Sequence, residues 1–276
     1  MRTVDLDTWE DFKQEANRLR AECEERRRVL GGPHVSHPSF RGHASKEWPL
    51  ATTLERAGHP KMVMAEYGYH MARIAPEITT QTNRTFKVPN RQETDDWFAA
   101  VVRDSYFPPG APPGYEFMVY LRHHGFPSPL LDWTDSEFVA AYFAFVDASE
   151  RVDSHVALYA FMEYADGFKV GSPLSPTVTG VGPYVIAHPR HFTQQARYTL
   201  CRKYDDDHQW KYVPHEWAFK GAPLSETDRQ DVLVKYVLPV DQRKVVLDDL
   251  FRMNITPYSL FQNEDALMKT MALKVL

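Results

Sequence analysis

The sequence predicts an α+β domain flanked by helices, and three observations carry that expectation. Segments with apolar residues at helical spacing gather toward the first half of the chain. Segments with β character gather toward the second half, which argues against repeated strand–helix–strand units. The 276 residues are 43% hydrophobic and 13% aromatic, enough for one sizeable core, with no internal repeat and no low-complexity tract.

From the N-terminus, Asp5 to Leu30 reads as a charged helix whose apolar stripe is Trp9, Phe12, Ala16 and Leu19. Gly31-Gly32-Pro33 ends it, so residues 1–32 are expected to pack as a helix on a domain spanning 33–276. A short segment around Phe40-Arg41-Gly42 follows. Lys61 to Ala75 reads as a helix stopped before Pro76. Another is expected near Thr94, with Asp95 and Asp96 in its first turn and Trp97, Phe98, Val101 and Val102 as its stripe. Pro108 to Pro113 is a loop. Glu116 to His124 is a helix with Phe117, Tyr120, Leu121 and His124 on one face, stopped by Gly125.

Leu130 to Thr134 reads as a buried strand, after which Asp135 or Ser136 caps a helix with Val139, Ala140, Phe143 and Ala144 facing the core. His155 to Met162, Tyr198 to Cys201 and Val232 to Leu238 have β character. Asp166 to Pro189 reads as a long loop of the kind that forms lids or binding loops. Asp241 to Phe251 and Glu264 to Ala272 complete the helices.

Charge and motif content exclude several classes. A net charge of −5 gives no global basic field for nucleic acid, although Arg190, Arg197, Arg202 and Lys203 leave room for a local basic cleft. The two cysteines, Cys23 and Cys201, read as free thiols in a reducing compartment. The acidic Met1 to Glu15 stretch lacks an apolar h-region, and no apolar run reaches membrane-spanning length. A cytoplasmic protein without membrane contact is the expectation. No glycine-rich phosphate loop, zinc-protease or serine-hydrolase motif is present, and no metal site is expected: His123 and His124 are adjacent and point apart on a helix, and His188 and His191 lack a carboxylate partner.

Three segments stand out together. The first is Phe40-Arg41-Gly42-His43 with Trp48-Pro49-Leu50 and Leu54-Glu55-Arg56. The second is His123-His124-Gly125-Phe126-Pro127-Ser128-Pro129-Leu130-Leu131-Asp132-Trp133-Thr134, leading into Ala140 to Ala144. The third is Pro189-Arg190 with Gln194-Gln195-Ala196-Arg197-Tyr198. In order and spacing they resemble the FRG domain family, and the tail from Ile255 to Ala266, with Leu260-Phe261 then Glu264-Asp265, is similar to that family's last segment.

The resemblance implies an ADP-ribosyltransferase-like fold with a mixed or antiparallel sheet, and NAD as co-substrate. Arg41 then matches the strand arginine that contacts NAD. Asp132-Trp133-Thr134 with Ala140 to Phe143 resembles the strand–helix element behind it, and Gln194 matches the late Glu or Gln. Gly42, His123, Trp133, Tyr142 and Arg190 join the expected cofactor pocket. A guanidinium binds a pyrophosphate bidentately, and a carboxylate stabilises the oxocarbenium-like ribose formed as the N-glycosidic bond breaks. A glutamine supplies no negative charge, so Glu216 and Glu264 are the expected assisting acids. Trp48, Trp133, Tyr142 and Trp217 offer stacking faces. The implied function is ADP-ribosyl transfer to a macromolecule (RNA, DNA or protein), in a toxin or phage-defence setting where an antitoxin is a possible partner. A non-catalytic nucleotide or nucleic-acid binding module, a scaffold and an NAD glycohydrolase remain open. So do plainer roles: Arg41 bridging to a carboxylate such as Asp132, Thr134 as a helix cap, His123 capping carbonyls, and Trp133, Tyr142 and Phe143 as core.

Overall fold

The computed structural model describes residues 1–31, 35–90, 92–97, 111–149, 151, 153–164, 174–182, 185–186, 188–219 and 231–275. The strands are β1 (Arg2–Asp5), β2 (Ser39–His43), β3 (Met62–Val63), β4 (Leu131–Thr134), β5 (His155–Met162), β6 (Thr177–Gly180), β7 (Ala196–Tyr204), β8 (Trp210–Tyr212) and β9 (Val232–Pro239). The helices are α1 (Trp9–Leu30), α2 (Thr53–Arg56), α3 (Met64–Thr82), α4 (helical over 92–97), α5 (Tyr115–His123), α6 (Glu137–Phe145), α7 (Pro189–Thr193), α8 (Arg243–Arg252), α9 (Pro257–Phe261) and α10 (Glu264–Val275).

The strands form one sheet in the order β1-β9-β5-β2-β4-β7-β8-β3, with β6 also paired to β7. Among the described residues only β1 and β9 run parallel; the other pairs are antiparallel. The α+β class and the mixed sheet are therefore as the sequence predicts.

Strand β5 shows how the core is built. Side chains alternate across a strand. Val156, Leu158 and Ala160 join a cluster with Phe12 of α1, Ala140 and Phe145 of α6 and Leu250 of α8. Ala157, Tyr159 and Phe161 face the other way, with Leu50, Trp133 and Cys201. Both faces are covered, so β5 is apolar along nearly its whole length. A third cluster gathers α3, α5, β7 and β8 around Tyr67, Phe117 and Tyr198.

Several local expectations shift. Helix α1 starts at Trp9, not Asp5, because Thr8 and Asp11 form a reciprocal capping box there. Residues Arg2–Asp5 are instead drawn into the sheet by parallel pairing with β9. The expected stripe is buried as predicted, with Cys23 continuing it. Helix α3 does not stop before Pro76 but runs through it to Thr82. Proline removes one backbone donor, yet Met64, Tyr67, Met71 and Ala75 bury one face of the helix, and the Pro76 carbonyl accepts from Thr80 Oγ1 at 2.8 Å. Helix α4 begins behind a reciprocal cap between Asn90 and Glu93; Phe98, Val101 and Val102 lie outside the described residues, as do residues 108–110 of the expected loop. Inside the segment expected to be a loop, Thr177–Gly180 is a strand, held by antiparallel pairing with Thr199 to Arg202. Cys23 and Cys201 are free thiols, both buried. Among the described residues no helix is long and apolar enough to cross a membrane.

Candidate functional site

The same alternation that splits β5 splits Phe40-Arg41-Gly42. Phe40 is fully buried in the cluster with α1 and α6. Gly42 points the same way and touches α6 itself. A Cβ there would lie 2.0 Å from the Ala140 carbonyl oxygen and 2.6 Å from the Ala144 nitrogen. Both atoms are backbone, so no side chain is tolerated without moving the helix. The glycine is thus a packing requirement, and it brings α6 onto β2.

Arg41 points to the opposite face. Strand β2 meets β4 at one pair, Phe40 with Thr134, and the strands part beyond it. In that gap Arg41 Nη1 donates to the Asp132 carbonyl at 2.8 Å, and Nε donates to His43 Nε2 at 2.9 Å. The second bond fixes the His43 tautomer: Nε2 is the acceptor, so the proton sits on Nδ1. Burial, and then the Arg41 charge, lowers His43 to about 3, so it stays neutral. Burial lowers Arg41 itself to about 10, with Asp132 opposing, so Arg41 remains a cation at neutral pH. Its Nη2 makes no hydrogen bond among the described residues.

A cavity of about 330 Å³ opens where β2 and β4 part. It is lined from these strands by Phe40, Arg41, Gly42, Asp132, Trp133 and Thr134, from α5 by Arg122 and His123, and from α6 by Ala140 and Phe143. The later chain adds Arg190, Gln194, Ala196, Tyr198 and Phe261. This volume sits at the lower end for ligand pockets. The charge is one-sided, with three arginines against the single carboxylate of Asp132.

Asp132 is the partner of Arg122, whose Nη2 pairs with its Oδ2. The expected alternative, a bridge from Arg41 to the Asp132 carboxylate, is therefore replaced by a bond to the Asp132 main chain. Among the described residues His123 caps no carbonyl. Its Nε2 lies 2.8 Å from the Tyr198 hydroxyl, which lies 3.2 Å from His191 Nδ1. One hydroxyl proton serves two rings, so Tyr198 donates to one imidazole and accepts from the other. Burial lowers His123 to about 4, so it faces the cavity neutral. Thr134 lines the cavity and also accepts the Ser136 N–H at 3.1 Å, while Ser136 caps α6. The cap of α6 is therefore Ser136 and not Thr134, whose side chain lines the cavity and braces the cap residue.

The expected site residues divide. Arg41, Gly42, His123, Asp132, Trp133, Thr134, Arg190 and Gln194 all line one cavity. Trp133 is buried in the core at 4% exposure, with its ring 5.5 Å from Phe161 and its indole N–H donating to Thr199. Gln194 ends α7 rather than sitting on a strand, and its amide donates to the Leu260 carbonyl. Tyr142 is a correction as a pocket residue, since its core reading is the one the structure bears out, and Phe143 packs against the same core while also lining the cavity. Adjacent helical residues point about 100° apart, so only one of the two can face it. Glu216 is another. Its carboxylate accepts the Leu50 N–H at 3.0 Å, and it does not line the cavity. Glu264 is solvent-exposed at the start of α10, outside the cavity, where the tail contributes Phe261. Trp48 and Trp217 lie outside it too. The expected basic cluster also separates: Arg202 is buried, Arg197 pairs with Asp135, and Lys203 pairs with Asp205.

Sequence reading missed Arg122, Phe143, Phe261 and the Tyr198 hydroxyl. Arg122 directly precedes His123-His124, so its place beside the long motif was a usable signal. Among the described residues no group of three His, Cys, Asp or Glu side chains is placed to hold a metal. Residues 36–153 match the family model of the FRG domain. No curated protein and no solved structure matches the chain. The matched stretch holds Arg41, Arg122, His123, Asp132 and Thr134, while Arg190, Gln194, Tyr198 and Phe261 come from beyond it.

Proposed function

From a chain that carries an FRG domain over residues 36–153, we propose an NAD-binding protein that transfers ADP-ribose to a macromolecular acceptor. The observation that carries this reading is the one-sided charge of the cavity: Arg41, Arg122 and Arg190 around one carboxylate. Such a site favours a ligand bearing more than one negative charge, and a guanidinium suits a pyrophosphate. Arg41 is anchored through Nε and Nη1, so little side-chain freedom is lost when Nη2 engages a phosphate oxygen.

Asp132 is the acid with access to the sugar. In the transfer step the bond between ribose C1′ and the nicotinamide nitrogen breaks, and its electron pair leaves with nicotinamide. An oxygen or nitrogen of the acceptor then bonds to C1′ and gives up its proton. A carboxylate beside C1′ stabilises the cationic ribose between these events, and neutral His123 is placed to take the proton. Gln194 holds the wall in place through Leu260.

One observation favours a second reading, in which the cavity binds the nucleotide without turnover: the Asp132 carboxylate is already paired with Arg122, which reduces its effective charge. Incubating the purified chain with NAD and measuring free nicotinamide separates the two. Nicotinamide release that disappears in Arg41→Ala supports transfer or hydrolysis, and label transfer from NAD to an acceptor distinguishes these. A rise in melting temperature with NAD but no nicotinamide supports binding alone. With neither release nor a shift in melting temperature, both readings fail.

A further inference from the structure

Outside the cavity, a line of contacts leads from its wall onto the surface. Arg190, in the wall, lies over the Phe261 ring at 5.4 Å. Its backbone N–H donates to His188 Nδ1 at 3.2 Å. The His188 ring lies 6.1 Å from His124, and His124 lies 4.4 Å from Tyr120. Arg84 closes the line over the Tyr120 ring at 5.6 Å. Arg84 and His124 are exposed, and His188 and Arg190 are half-buried. Neither Arg84 nor Arg190 forms an ion pair among the described residues.

The charged groups acting on His124 are Arg84 and Arg190, and those on His188 are Arg190, His124 and Arg84. After burial, these cations are what hold both imidazoles below their ordinary range. Among the described residues no carboxylate contributes to either. The strip is therefore locally positive on a chain of net charge −5, and its imidazoles stay neutral near pH 7; the Tyr120 ring packs against Phe86 at 4.6 Å, which leaves the exposed His124 and half-buried His188 as the rings that reach the surface.

We propose that the strip Arg84–Tyr120–His124–His188–Arg190 binds single-stranded nucleic acid and leads it to the cavity. Guanidinium groups that take phosphates, interleaved with flat rings that take bases, match an unpaired strand. In a duplex the bases are already stacked on each other and unavailable. A protein segment chosen by charge alone would have no use for the rings. The role of this strand as ADP-ribose acceptor rests on the function proposed above, whereas its binding does not.

The test is fluorescence anisotropy with a labelled mixed-sequence 12-mer, as RNA and as DNA, without NAD, from 50 to 200 mM salt. The intact chain should bind the single strand and prefer it to the matching duplex. Arg84→Ala should weaken binding about tenfold and reduce the salt slope by about one. His124→Ala should weaken binding with the slope unchanged, since it removes a ring and not a charge. Lys244→Ala, on exposed α8, should do neither. Arg84 and His124 are exposed, so their variants should keep the parental melting temperature. No binding of either strand sinks the inference, as does equal affinity for duplex, indifference to Arg84→Ala and His124→Ala, or binding of an acidic peptide in place of the strand. Nicotinamide release is read without any nucleic acid. NAD turnover with no strand binding thus overturns this inference alone, and strand binding with no NAD response overturns the transferase reading alone.

Discussion

Two buried arginines of the same sheet invite comparison. Arg41 on β2 and Arg202 on β7 are both lowered to about 10, chiefly by burial. Arg202 is 1% exposed and wedged among core residues, with Nη2 donating to Thr179 at 3.2 Å and Nη1 unpartnered among the described residues. Arg41 has two donors tied to fixed acceptors and a third without a protein hydrogen bond, on the wall of a cavity that holds two further arginines. The comparison teaches that a buried, perturbed cation does not mark a site. What marks one is a cation held rigidly where two strands part and space remains for a ligand.

The largest effect expected around Arg41 is on its neighbour. Gly42→Ala places a carbon against the α6 main chain. Overpacking of this kind costs roughly 3 kcal/mol, read as a lower denaturation midpoint; an unchanged midpoint would mean that α6 can slide and that the glycine is not a packing requirement. Next, Arg41→Met should weaken NAD binding by about 10- to 100-fold, the worth of one or two hydrogen bonds to a charged group, measured by calorimetry. Arg202→Met should leave NAD affinity within about twofold and keep or raise the melting temperature, because an apolar replacement removes a buried charge. If Arg202→Met weakened NAD as much as Arg41→Met, the contrast between the two regions would collapse.

The third effect is on pH dependence. Burial lowers His43 and His215 to about 3 and His123 to about 4, and the Arg41 charge adds to the lowering of His43 and His215. Their unfolded values lie near 6.5, so between pH 6.5 and about 4 the unfolded chain binds more protons. Stability is therefore complete above pH 6.5 and is lost as pH falls. The slope should reach up to about 1.4 kcal/mol per pH unit for each histidine. Denaturant titrations between pH 7 and 5 read it, and His215→Gln should flatten the curve; a stability flat from pH 7 to 5 would rule out three neutral buried imidazoles. The smallest effects belong to the acids that left the site. Glu216→Gln and Glu264→Gln should change nicotinamide release by less than about twofold, and a loss of tenfold or more in either would return that acid to the chemistry.

Much of the site was legible in the sequence because it lies in contiguous motifs. Phe40-Arg41-Gly42 and the run from His123 to Thr134 each bring several residues to the cavity, and local order is preserved when a segment becomes a strand or a helix end. The tail was read less well. Glu264 had the right chemistry for a carboxylate role, but the last residue of α9, Phe261, is what reaches the cavity, and the acid stays in solvent. Tyr142 and Phe143 both suit a buried helix, and only the direction in which α6 lies on Gly42 decides that Phe143 also reaches the cavity.

The sequence by itself determined the α+β class, the amphipathic α1 with its stripe, and the β character of His155 to Met162. These follow from period, capping and local steric demand, which act between near neighbours. The tertiary structure alone decided that β1 joins the sheet beside β9, that β6 forms against β7, and that α3 continues through Pro76. It alone decided that Arg122 and not Arg41 takes the Asp132 carboxylate, and that Arg190 and Phe261 close the cavity from far along the chain. Such outcomes depend on which strands and side chains meet across long loops. A residue's partners there are set by packing and desolvation, which have no period to read.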